Sequence, residues 1–90
     1  MKKEAHLIIT GAVQGVFFRV KSQKKACSLN ITGWVKNIDN DKVEILAQGE
    51  EKSLKELIQW CQEEAPGKVE GVSQEWLKIS KKFANFEILY

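Results

Sequence analysis

Two stretches with helical spacing, each set between runs of β-forming residues, constrain this chain more than any other feature. Phe18, Ser22, Ala26 and Leu29 recur at the interval of one helix face, and so do Leu54, Leu57, Ile58 and Cys61. Around them lie runs of strand character at residues 5–10, 32–38, 42–48, 71–80 and 86–90. Asp39, Asn40 and Asp41 separate the second and third runs as a hairpin turn would. Asn30, which tolerates a left-handed backbone, closes the first helix. Ser53, with Glu56 three residues on, is expected to cap the second in a capping box, and Pro66 and Gly67 end it.

The resulting order is β-α-β-β-α-β with a short terminal fifth strand. Each helix connects strands of one sheet, and right-handed crossovers put both helices on the same face. The expected fold is an α+β, ferredoxin-like sandwich with a mainly antiparallel sheet. A chain of 90 residues with 43% hydrophobic content suits one domain over residues 1–90 and leaves no room for a separate substrate module. Any site must therefore be built on a single small core.

Composition removes several function classes. A net charge of +2 is too small to argue for nucleic acid, and residues 43–48 carry no Phe or Tyr of the kind RNA-recognition domains of this fold stack on bases. No run approaches the roughly 18 apolar residues of a membrane span, and the first residues lack a signal-peptide core. A cytoplasmic protein without nucleic-acid or membrane partners is expected. His6 is the sole histidine, and Cys27 and Cys61 have no CxxC spacing, so no Cys/His metal site is expected. The two thiols are read as reduced, although two helices on one sheet face leave open that they approach each other.

Chemistry concentrates in the stretch Gly11-Ala12-Val13-Gln14-Gly15-Val16-Phe17-Phe18-Arg19, which joins the first strand to the first helix. Unpaired N–H groups at a helix N-terminus, joined to those of a glycine turn, make a positively polarised hollow that fits phosphate oxygens. Arg19 strengthens that reading. A cation in the first turn opposes the helix dipole at a cost of about 0.3–1 kcal/mol, and Lys21, Lys24 and Lys25 follow with no acid between them. A bound anion would turn this penalty into attraction, the guanidinium gripping two oxygens at once. On physics alone, Gly15 as a mere turn and Arg19 as a solvated side chain remain open. The loop lacks the Lys-Ser/Thr pair of a Walker A motif and the spacing of a dinucleotide fingerprint. In the second strand, alternation puts Gly33, Val35 and Asn37 on one face, with Asn37 either a carboxamide at the strand end or a turn former.

The run from Gly11 to Arg19 resembles the first signature of the acylphosphatase family, and Gly33-Trp34-Val35-Lys36-Asn37 resembles its second. The resemblance covers essentially the whole chain, including Gly49 before the second helix and Phe86 in the last strand. It implies hydrolysis of acyl phosphates to a carboxylate and inorganic phosphate, with phosphate as product or inhibitor. It further implies that Arg19 binds the phosphate, that Asn37 positions the attacking water, and that the amides of Gln14, Gly15, Val16, Phe17 and Phe18, with that of Arg19, form the cradle. No cofactor or metal is implied, and a monomer is expected. The alternative kept open is a non-catalytic module that binds phosphate or carboxylate on the same fold. Three positions depart from the common pattern. Asn30 stands in place of a frequent glycine, Asp41-Lys42 in place of Asp-Gly, and Leu89 in place of an arginine, where a supporting contact is expected to be lost.

Overall fold

The computed structural model describes residues 2–15, 17–39, 41–79 and 81–89. Strand β1 (Lys2–Ala12) leads to helix α1 (Phe18–Ser28), followed by the strands β2 (Thr32–Asp39) and β3 (Lys42–Glu50), helix α2 (Glu51–Glu63), and the strands β4 (Lys68–Leu77) and β5 (Phe86–Ile88). The sheet order is β4-β1-β3-β2-β5. All pairings are antiparallel except that of β5, which runs parallel to β2. This is the expected α+β, ferredoxin-like arrangement. No described helix is long and apolar enough to cross a membrane.

Alternation decides which sheet face is filled. Ala5, Leu7 and Ile9 of β1, Val35 of β2, and Val43, Ile45 and Ala47 of β3 are buried together with Phe18 and Ala26 of α1 and Leu54, Leu57, Ile58 and Cys61 of α2. Both helices therefore cover one face, with the predicted stripes turned inward. Phe18 meets Trp60 across them with ring centroids 5.8 Å apart.

The first helix ends as its sequence suggests. Asn30 has φ 59°, the Asn30 amide donates to the Cys27 carbonyl and the Ile31 amide to that of Ala26, at 3.1 and 2.9 Å. This is the paired closure of a left-handed helix cap.

The second helix begins differently from the expectation. Ser53 does not cap it: Glu50 is the capping residue, with no side-chain cap bond, and Ser53 lies inside the first turn. The strand runs straight into the helix, so the chain reaches helical geometry before Ser53. Glu51 supplies the acid that suits a helix N-terminus, and pairs with Lys3 on β1 and, at 2.9 Å, with Lys55. Hydrogen bonds from Lys3 and then Lys55 hold its carboxyl down to about 2 on a partly exposed surface.

Strand limits also shift. β4 starts at Lys68, ahead of the Gly71 start read from sequence, because the pairing continues through a bulge: Thr10 faces Gly71, Gly11 faces Val69, and Glu70 is the extra residue. Gly71 marks the bulge, not the boundary. β1 extends over the charged residues Lys2 to Glu4, which pair with Glu50 to Gln48. Ser80, Tyr90 and Asn40, named above at strand ends and in the hairpin turn, lie outside the described residues.

The cysteines occupy opposite environments. Cys27 is exposed on α1, whereas Cys61 is buried on α2, and both are free. Burial pushes the Cys61 thiol up to about 12, which suppresses the reactive thiolate at neutral pH. Native protein is therefore expected to consume one equivalent of a thiol reagent such as DTNB, at Cys27, and a second only in denaturant. Two fast equivalents in the native state would contradict this packing.

Candidate active site

β1 delivers the chain to a loop whose geometry is set by two left-handed residues. Gly15 has φ 75°, with open space where a Cβ would be, so the backbone conformation and not crowding calls for glycine there. Phe17 has φ 63° and ψ 23° and occupies the position that caps α1. It offers no side-chain hydrogen bond to the helix, and no acid stands in the first turn. The first turn's N–H groups thus present their polarity to the loop.

A cavity of about 200 Å³ opens beside this turn. Gly15, Phe17, Phe18, Arg19 and Asn37 all line it, with Val13 and Val20 supplying apolar wall. The loop after β1 and the strand β2, separated in the sheet by β3, therefore contribute to one hollow. Arg19 is the only charged residue on the described wall. No group of three or more His, Cys, Asp or Glu residues suited to a metal ion occurs among the described residues.

Three sequence-predicted residues behave in particular ways. Arg19 is half-buried, and its Nη1 donates to the Leu89 carbonyl at 3.5 Å. Leu89 was expected to have lost a supporting contact, yet the contact seen here is through its backbone and is indifferent to its side chain. The C-terminal segment is itself held by the Leu89 amide on the Val35 carbonyl at 2.8 Å. Asn37 shares its sheet face with buried Val35, and its Oδ1 is buried without a hydrogen-bond partner among the described residues. A buried unpaired acceptor costs about 1–3 kcal/mol, so its presence on the wall of a polar hollow calls for a partner from outside the chain. Val16, the remaining cradle residue, lies outside the described residues.

Gln14 departs from the simple picture of a loop amide. Its side chain does not line the cavity; Nε2 donates to the Asp39 carbonyl and, at 2.8 Å, to the Lys42 carbonyl. The Gly11 amide adds a bond to the Asp41 carbonyl at 2.9 Å. The loop is thereby tied to the hairpin that follows Asn37. Nothing in sequence spacing points to this tie, because it joins groups 25 and 28 residues apart that meet only once β1 has paired with β3. Replacement of Gln14 by Leu keeps the bulk and removes the donor. It should lower stability by about 1 kcal/mol in urea unfolding, and an unchanged midpoint would show that the tie is dispensable.

His6 and Cys27 stand outside this hollow. His6 Nε2 meets Glu44 Oε2 at 2.5 Å, between β1 and β3. A structural role for His6 agrees with that pairing.

Known proteins share these features. The family model described as Acylphosphatase matches residues 5–88. An acylphosphatase of Caldanaerobacter subterraneus subsp. tengcongensis is 42% identical over 98% of this chain and 99% of its own. One from Methylococcus capsulatus is 34% identical over 97% and 96%. Among solved structures, the acylphosphatase from Bacillus subtilis superposes with a TM-score of 0.92 at 35% identity, covering 100% of both chains. Matched over nearly its whole length in sequence and in fold, this chain belongs to the acylphosphatase family of enzymes.

Proposed function

We propose that this chain hydrolyses acyl phosphates by direct in-line attack of water, without a metal ion, in the hollow between the loop, Arg19 and Asn37. The observation that carries the proposal is the buried Asn37 Oδ1, without a partner among the described residues, on the same wall as Arg19 and the start of α1, which no side chain caps.

The phosphoryl group is held by the amides of Gln14 to Arg19 and by the Arg19 guanidinium, which can take two oxygens at once. Asn37 Oδ1 accepts a hydrogen bond from water and aims it at phosphorus. The water oxygen forms the new P–O bond while the bond from phosphorus to the acyl oxygen breaks, its electron pair leaving with the carboxylate. One water proton stays on the phosphate product; a phosphoryl oxygen accepts the other and passes it to solvent. A carboxylate with a conjugate acid near ~4 departs at neutral pH without a general acid. That is consistent with a wall on which Arg19 is the only charged side chain among the described residues. A metal-binding reading would need several hard oxygen donors there, and the described wall offers no carboxylate, only the carboxamide of Asn37.

The reading extends to a monomer that acts on a small molecule in the cytoplasm without a nucleic-acid partner, a net charge of +2 giving little attraction for a polyanion. Phosphate release from benzoyl phosphate in excess EDTA tests the proposal. Release only after added divalent metal would overturn the metal-free route. Binding of inorganic phosphate with no turnover at all would leave a binding module instead.

A further inference from the structure

Phe17 combines two unfavourable properties. Its side chain is 75% exposed, and its backbone is left-handed at φ 63°. A large residue in that conformation crowds its Cβ against the following carbonyl oxygen, and exposure forfeits the burial a ring would gain. Gly15, two residues earlier, meets a positive φ of 75° without either cost. The cradle needs only the turn of the backbone at position 17, so the cradle does not account for the ring. Strain and exposure that persist together at a cavity mouth point to something the ring contacts there.

The ring lines the cavity beside Val20, itself 40% exposed. Phe17 immediately precedes α1 and Val20 lies in its first turn, so the two flank Arg19 in sequence. The hollow, at about 200 Å³, is smaller than the roughly 300–1,000 Å³ of sites that enclose drug-sized ligands. It suits a phosphoryl group and leaves the remainder of a substrate at the mouth. Besides Arg19, no charged residue of the described wall could partner a charged acyl group there.

We propose that Phe17 and Val20 form an acyl platform, so that the chain selects acyl phosphates with an aromatic or otherwise apolar acyl group over small ones. The proposal rests on the acyl phosphate reading above and adds the substrate class to it. Phe17 acts through ring contact with the acyl group, by stacking for an aromatic one, and Val20 extends the same surface.

The experiment measures kcat/KM for benzoyl phosphate and for acetyl phosphate in the wild type, Phe17→Gly and Val20→Ser. Glycine accepts φ 63°, so the loop keeps its path. The ratio of benzoyl to acetyl efficiency is expected to fall about three- to ten-fold in Phe17→Gly and by a smaller factor in Val20→Ser. A disturbed cradle would lower both rates alike and leave the ratio in place. Intrinsic leaving-group differences cancel between variants. A ratio that stays constant or rises in both variants, with both substrates still hydrolysed, overturns the platform alone. Hydrolysis of neither substrate by the wild type overturns the acyl phosphate reading and the platform with it.

Discussion

Arg19→Ala is expected to lose kcat/KM for an acyl phosphate by about 10³-fold or more, while its circular dichroism and unfolding midpoint stay near those of the wild type. The loss is large because Arg19 is the only charged residue on the described wall of the cavity. No neighbouring side chain there can take over the phosphate charge. The cost to the fold is small for two reasons. A cation in a helix's first turn opposes the dipole by about 0.3–1 kcal/mol, which the variant relieves. Its bond to the Leu89 carbonyl, at 3.5 Å, is long. Inorganic phosphate should inhibit the variant far more weakly. Arg19→Lys restores the charge without the two-pronged donor and should recover only part of the activity. A variant with Ala at this position that keeps phosphate inhibition would remove Arg19 from the cradle.

Asn37→Ala should separate catalysis from binding. We expect kcat to drop about 10²–10³-fold with little change in KM or in inhibition by phosphate, since the role proposed for Asn37 is on the water and not on the phosphoryl group. Stability should move the other way. Oδ1 is buried with no partner among the described residues, so deleting it removes a cost of about 1–3 kcal/mol, against which the lost packing of the side chain must be set. A variant that is nearly inactive yet at least as stable as the wild type in urea is the signature of an acceptor kept for function. Comparable rises in KM for this variant and for Arg19→Ala would contradict separate roles.

The fold was legible where periodicity is strong. The apolar stripes of both helices and the alternation through Leu7, Ile9, Val43 and Ile45 each state which side is buried, and the crossover rule then leaves few arrangements. What was not legible depends on partners distant in the chain. Ser53 looks like a cap in isolation, but the helix start is decided by β3 running directly into α2 at Glu50 and Glu51. Gly71 reads as a strand boundary until β1 is placed beside it and a bulge accommodates Glu70. The loop and Asn37 were visible as residue types at suggestive positions. The tie from Gln14 to the hairpin carbonyls and the unpaired state of Asn37 Oδ1 are properties of the assembled sheet. In the sequence Phe17 stood as a cradle residue whose amide faces phosphate; the exposure of its ring and its left-handed backbone needed coordinates.

β3 lies between β1 and β2 in the sheet, and the loop hangs from the first of these outer neighbours while Asn37 rides on the second. The Gly15 loop and Asn37 are close in sequence, but no local hairpin can bring them together, because β3 lies between β1, which carries the loop, and β2, which carries Asn37. The hollow therefore depends on non-local pairing and is expected to form only with the assembled sheet. Enzymatic competence during refolding should then appear in step with the whole sheet, which makes turnover a clock for the last strand to dock and leaves partly folded chains silent.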